Sequence, residues 1–385
     1  IENEADQIGR KTHVSVVCQG NRLSYVKKSP DGETRETLTV PQDFGQELET
    51  LKSVSRGAIK PGWTCTFSTF DCDLLKIDTV TMTVLEPTTS PRPGWIVTAR
   101  SGLLGIKTKT WLGRDVTLLR QEVPGMMGMT LALATEAEAL AELSPLLLSS
   151  SIPVNTDPGA ARDLASLTLR ASSHSVPVVE LIPPTPRQTV TTDGEDILVA
   201  VRAQAAPELT TRIPVTQPQL QQYLQPSDLA QSRDPLIVAK AKSIIGDETD
   251  AWRAAQKLLA WVHRELAKME SEPRPLSAKE ILGEMRGDCT EHAILLAALA
   301  QAVGIPSKMC AGLVYDSKAY HYHAWNELYV GQWVEIDATW NQPTVDPGHL
   351  LIASGALDSA SMGRLSLASG RTMGSLDLDI LTVEK

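Results

Sequence analysis

Apolar and polar residues follow two different periods along this chain. Between residues 13 and 130 they alternate in short runs (HVSVVC, RLSYV, ETLTV, TVTMTVLEP, GWIVTAR, IKTKTWL, DVTLLRQEV) broken by Gly, Pro and Asp. A period of two puts one face of a strand on a core and the other in water, so this stretch predicts an antiparallel β region. Residues 135–138 form a capping-box pattern, which predicts a short Ala/Leu helix ending near residues 144–145. From 150 to 215, Pro-rich punctuation (SVPVVELIPPTP) separates further strand-like runs (ASLTLRA, DILVAVRA), a second β layer rather than a linker.

After the polar segment 216–233 the period lengthens. Trp252, Ala255, Leu259, Val262 and Leu266 recur at three and four residues and predict an amphipathic helix from about Asp250 to Met269. Ser277 and Glu280 form a capping box for a short helix that stops at Gly287. The run AILLAALAQAVG reads as a buried helix closing at Gly304 and Pro306. Alternating stretches around LYV and VEI follow as strands, and Leu376, Leu378 and Ile380 alternate near the end. The fold class is α+β, in three regions: an antiparallel β domain over 1–146, a small β region over 147–225 and an α+β domain over 226–385.

Composition narrows the function classes. The chain has 385 residues, 42% of them hydrophobic, enough for two or three domains with real cores. Lys and Arg number 36 against 46 Asp and Glu, a net charge of −10, so no basic face is available for nucleic acid or anionic lipid. No apolar stretch approaches the ~18 residues of a membrane span. The sequence begins at Ile1 rather than Met, and a cleaved export signal is one expectation consistent with that. Five cysteines are too few for a disulfide framework in a chain this size. Cys310 reads as a buried strand residue. Cys65 and Cys72 would face one another only across a turn at Ser68-Thr69, a poor hairpin turn, so two reduced thiols on one long strand are the expectation.

The chemistry is concentrated in three short motifs: Gly287-Asp288-Cys289-Thr290-Glu291-His292, His323-Ala324-Trp325-Asn326-Glu327 and Val334-Glu335-Ile336-Asp337-Ala338-Thr339. A free thiol has a pKa of about 8.5 and is a weak nucleophile near neutrality. Asp288 as N-cap and Glu291 at the third helical position place Cys289 first in its helix, where unpaired N–H groups and the helix dipole favour a thiolate by roughly 0.3–2 kcal/mol. A cationic partner must supply the rest. His323 is the natural proton acceptor, and Asp337 would hold its second ring nitrogen. His292, three residues after Cys289, reads as packing under the site, and His321 as a strand residue on the solvent side. Cys289, His292, His321 and His323 have the ligand types for zinc but no paired spacing such as CxxC or HExxH, so neither metal nor cofactor is expected.

RGDCTEHA, then HAWNE, then DAT, in this order, resembles the core of the transglutaminase-like superfamily of papain-related cysteine enzymes, over roughly residues 235–355. The resemblance implies a transglutaminase-like C-terminal domain with Cys289, His323 and Asp337 as its catalytic residues. The animal crosslinking enzymes carry Gly-Gln-Cys-Trp, whereas Asp288 and Thr290 flank the cysteine here. That is closer to the bacterial branch and implies a cysteine peptidase or amidase acting through a thioester on protein or peptide, cell-wall peptide included. Protein-glutamine γ-glutamyl transfer is the alternative within enzymology, and a non-catalytic protein- or polymer-binding module the alternative outside it. Trp111-Leu112-Gly113 and Gln121-Glu122 make the N-terminal region similar to β modules preceding such cores in bacterial exported proteins, which implies an extracytoplasmic location. Strand parity adds a geometric condition. His323 and Asp337 share a face only if paired residue numbers add to an even number, so the hairpin between them needs a three-residue loop around Val330 to Gln332, or a bulge.

Overall fold

The computed structural model describes residues 2–7, 10–29, 32–57, 59–72, 75–90, 92–103, 105–123, 129–135, 151–174, 177–269 and 275–385. The helix expected to open at 135–138 lies outside them. The chain divides into two compact units, Ile1–Leu147 and Leu148–Lys385.

The first unit is antiparallel β, as the alternation requires. Strands β1 (Glu2–Gln7), β2 (Arg10–Gln19), β3 (Arg22–Ser29) and β4 (Gly32–Thr39) form one meander. After helix α1 (Glu47–Ser55), strands β5 (Thr64–Asp71), β6 (Lys76–Thr88), β7 (Gly94–Ser101), β8 (Lys107–Gly113), β9 (Leu118–Val123) and β10 (Met129–Ala132) form a second. Strand β5 runs straight through Ser68-Thr69, with Cys65 paired to Met82, so Cys65 and Cys72 do not face each other and no disulfide joins them.

The second unit begins with β11 (Ser151–Pro153), β12 (Ser166–Ser173), β13 (Gln188–Asp193) and β14 (Asp196–Arg202). Helices α2 (Pro235–Ile245) and α3 (Ala251–Glu265), the two-residue strand β15 (Ala267–Lys268), α4 (Ala278–Glu284), β16 (Arg286–Gly287) and α5 (Cys289–Ala302) follow. Then come β17 (Ser307–Asp316), β18 (Ala319–Tyr329), β19 (Trp333–Ile336), β20 (His349–Gly355), α6 (Ser359–Thr372) and β21 (Leu376–Glu384). The amphipathic helix expected to Met269 stops at Glu265, where Leu266 turns to extended backbone and β15 pairs in parallel with β16.

Two sheets and a helical layer make this unit. One sheet runs β11-β18-β17-β20 with β19 on β18; the other runs β13-β14-β12-β21. Between the sheets lies one core, built from Leu167, Leu169, Val199, Leu313, Leu350 and Ile380 among others. A second core joins the helices to the first sheet. Its centre is α5, on which Ala293 to Ala300 are all buried, so that no face of the helix is polar. A helix apolar all round is stable only inside other elements, and α2, α3, α4 and the sheet supply them.

One ion pair ties the second sheet to the first. Arg187, ahead of β13, donates Nε and Nη2 to the two carboxylate oxygens of Glu335 on β19, both at 2.9 Å, with both side chains 5% exposed. Its remaining N–H groups donate to the backbone carbonyls of Arg202, Asp346 and His349. Planar, five-donor recognition of this kind suits only a guanidinium. Removing one member of a buried pair leaves the other charged and unpaired, a loss of about 3–5 kcal/mol. Arg187→Ala is therefore expected to lower the stability of the second unit by about that amount in urea unfolding followed by tryptophan fluorescence. A loss under about 1 kcal/mol would mean the pair behaves as a surface contact.

Candidate active site

Cys289 is half-buried at the first position of α5. The capping box read from the sequence is present. Asp288 Oδ1 accepts from Thr290 N at 2.7 Å, and Glu291 Oε2 accepts from Asp288 N at 3.1 Å while its Oε1 accepts from Leu276 N. Gly287 is required here, since a Cβ at that position would lie 2.2 Å from Glu291 Cβ. Burial, and then the neighbouring Asp288 carboxylate, push Glu291 up to about 7.

His323 lies on β18 and Asp337 just beyond β19. The β18–β19 hairpin pairs Tyr329 with Trp333 and Asn326 with Ile336, leaving the three-residue loop Val330-Gly331-Gln332. That register meets the parity condition. One step further, Asp337 comes opposite Trp325, with His323 two residues along on the same face. His323 Nε2 and Asp337 Oδ2 are 2.8 Å apart, with His323 9% and Asp337 0% exposed. The Cys289 thiol is close enough to the same imidazole to favour its charged form. With Nε2 on the carboxylate, Nδ1 is left for the thiol. Burial works against the charged ring of His323, but Asp337 and then Cys289 outweigh it and hold its pKa up at about 10. Burial likewise disfavours ionised Asp337, yet His323 and His349 hold it well below the usual carboxylate range.

The structure thus brings all three sequence-predicted residues together. His292 is buried one turn into α5, with Nδ1 2.6 Å from the Asp288 carbonyl, and burial lowers its pKa. His321 is half-buried, rather than on the solvent side, and pairs with Ser151 and Val314. Cys310 is fully buried, and desolvation pushes its thiol well up.

Sequence reasoning gave no role to three residues that complete the surroundings. Trp325 stacks beside His323 with centroids 6.0 Å apart, and its Nε1 donates to Glu335 Oε2. It needs a bare backbone under it, because a Cβ on Gly312, paired with His323, would lie 2.6 Å from the Trp325 ring. Trp340 faces His323 at 5.7 Å, and His349 heads β20, fully buried, with Nε2 3.1 Å from Asp337 Oδ2. The one sequence signal for His349 is a polar residue opening the apolar run Leu350-Leu351-Ile352, three residues after Asp346. Its partner Asp337 shows only in the fold. His323, Asp337 and His349 hold ligand-type atoms within 4.8 Å of one another. Both histidine Nε2 atoms lie at hydrogen-bond distance from one carboxylate oxygen, Asp337 Oδ2, at 2.8 and 3.1 Å.

The paired charges link stability to pH. Because the pKa of His323 is raised by folding, its contribution is complete below the unfolded value of about 6.5 and is lost as pH rises through about 10. Asp337 is depressed, so its contribution is complete above the unfolded value of about 3.9 and is lost only as pH falls through the lowered one. The stability gap between the wild type and Asp337→Asn is expected to be widest between about pH 4 and 6.5 and to close towards pH 10. Urea unfolding at stepped pH reads it, and a gap that is flat across the range would refute the linkage.

Residues 238–338 match the transglutaminase-like superfamily. Among solved structures, the chain is similar to a candidate cysteine protease from Cytophaga hutchinsonii, at 16% identity over 59% of this chain and 82% of that one, with a TM-score of 0.39. It is also similar to the periplasmic domain of TgpA from Pseudomonas aeruginosa bound to ethylmercury (18% identity, 52% and 87% coverage, TM-score 0.32). A candidate protease from Parabacteroides distasonis matches at 9% identity, 74% and 70% coverage and a TM-score of 0.23. No curated protein matches the chain.

Proposed function

We propose that this chain, whose residues 238–338 are a transglutaminase-like core, is a cysteine hydrolase that opens peptide or side-chain amide bonds through a thioester. The observation that carries the reading is the buried His323–Asp337 pair beside Cys289, which stands at the start of a buried helix and favours the charged ring of His323. The family match supports a cysteine enzyme; the triad roles and the hydrolytic outcome are this proposal's own.

In the first half-reaction Cys289 Sγ gives its proton to His323 Nδ1 and attacks the amide carbonyl carbon. The carbonyl oxygen takes the negative charge beside the first-turn N–H groups of α5, which point out of the helix start. Collapse of this adduct breaks the C–N bond, the amine leaves with the proton returned by His323, and an acyl thioester remains on Cys289. In the second half-reaction a water gives a proton to His323 and attacks the thioester carbonyl. Cys289 departs as thiolate and the carboxylic acid is released. Asp337 holds the ring and stabilises its charged form throughout. Water rather than an amine is the favoured acceptor because Cys289 is only half-buried, so the thioester is open to solvent, whereas transfer needs it shielded. Asp288 and Thr290, in place of the residues flanking the cysteine in crosslinking enzymes, point the same way. The substrate is protein or peptide, and an extracytoplasmic setting with cell-wall peptide among the substrates belongs to the same proposal.

Two measurements test it. With a glutamine-containing protein and a fluorescent primary amine, peptide cleavage or ammonia release should outpace label uptake. Cys289→Ala should abolish product, and Asp337→Asn should lower kcat by about 10²–10⁴. Faster label uptake would make the protein a transferase, and no product with any protein substrate would leave a binding module. Separately, iodoacetamide near neutral pH should alkylate Cys289 well before Cys310, and His323→Ala should slow the alkylation of Cys289. Equal labelling of the two thiols in the wild type would refute the thiolate–imidazolium pair.

A further inference from the structure

We propose that His349 is a positioning residue of this site, an imidazolium clamped between Asp337 and Asp346 whose fixed positive charge limits how tightly Asp337 holds a proton on His323. The inference rests on the reading of Cys289 and His323 given above.

The clamp is complete on both sides. His349 Nε2 lies 3.1 Å from Asp337 Oδ2 and Nδ1 3.1 Å from Asp346 Oδ1, and the ring is fully buried. A neutral imidazole has one N–H, so one of these contacts would set a bare nitrogen against a carboxylate oxygen. Both carboxylates are held ionised by the donors around them, because hydrogen bonds to the charged form favour it. Asp346 already accepts from Gly348 N on Oδ1 and from Gln342 Nε2 on Oδ2, and Asp337 Oδ1 accepts from Thr339 N and Trp340 N. Facing an ionised carboxylate at each ring nitrogen, His349 is best satisfied by donating from both, which makes it a cation.

Its surroundings keep it in place. The Arg187 guanidinium donates to the His349 and Asp346 carbonyls, so the second sheet holds the loop carrying the clamp. The titratable and charged groups facing the ring are Asp346 on its own loop, Asp337 after β19 and His323 on β18. Beyond them lie Arg187 with its partner Glu335, the Tyr320 phenol near Asp346, and His292 near Asp337. Trp325 and Trp340 pack nearly perpendicular to the ring, with centroids 5.3 and 5.9 Å away.

The consequence for His323 follows from charge. His323 and His349 share one oxygen of Asp337, with ring centroids 5.9 Å apart. Asp337 alone would fix the proton on His323 so firmly that the ring could not return it to a leaving amine. A general acid–base works best with a pKa near the operating pH. A second cation on the same oxygen weakens that hold, by about one to two pH units for unit charges at this separation in an effective dielectric of about 20. A spacer needed only for shape could be a neutral amide; a residue that balances charge cannot.

Two readouts decide the matter. First, histidine-ring nitrogen NMR on the wild type, with His349 assigned from His349→Gln, should find both its nitrogens still protonated above the ordinary histidine value of about 6.5. A singly protonated ring at neutral pH overturns the proposal. Second, the pH dependence of Cys289 alkylation should show its upper inflection, where His323 loses its proton, about one to two pH units higher in His349→Gln and in Asp346→Asn than in the wild type. Lower amplitude or stability with an unmoved inflection in both variants would mean a merely structural role and also overturns the proposal. Should one variant fail to fold, the other and the wild-type NMR still decide. If wild-type Cys289 alkylates like an ordinary thiol, the functional reading fails by itself, and the NMR still reports the charge of His349.

Discussion

The architecture of the second unit converges on one buried anion, the carboxylate of Asp337. Taking such a charge out of water costs several kcal/mol even after relaxation, and only a full set of donors offsets that. Asp337 has them: two imidazoles on Oδ2, and the Thr339 and Trp340 backbone N–H groups on Oδ1. The donors come from three different stretches, so placing the carboxylate fixes the β18 register, the turn after β19 and the start of β20 together. The three-residue hairpin loop is part of the same constraint, since a shorter turn would rotate Asp337 to the other face of the sheet.

Two buried networks stand back to back here. Arg187, Glu335 and Trp325 Nε1 form one; Asp337, His323, His349 and Asp346 form the other. They meet at the Asp346 and His349 carbonyls, which take Arg187 donors while their own side chains complete the clamp. Because every member is hydrogen-bonded, the low dielectric that would penalise an isolated charge strengthens these contacts instead.

Local features were the legible part of the sequence. Alternation found the β layers of both units, and the S-x-x-E and D-x-x-E patterns found the starts of α4 and α5, because each of these signals is complete within a few residues. Strand parity gave the hairpin loop. What stayed hidden depended on distant partners. Nothing in Arg187 or Asp346 announces that they meet, 159 residues apart. His349 looks like an ordinary strand-opening residue until Asp337 is beside it. Helix α6, SASMGRLSLASGRT, has too many small polar residues for a clear apolar stripe and is held against β20 and β17 by packing. Helix α3 ends before Met269 although Leu266 continues its apolar stripe, because the backbone there has already turned extended.

Strand β12 pairs on one side with β14 and on the other with β21, so Ser166 meets Glu384 across 218 residues of sequence. Contacts this far apart are slow to form and cannot begin before both ends exist. On a ribosome the cysteine, its histidine and its aspartate would all have emerged while the sheet that carries Arg187 still lacked an edge strand. An order of assembly in which the outermost strand arrives last leaves a nascent chain with its thiol synthesised but its charge network unsupported.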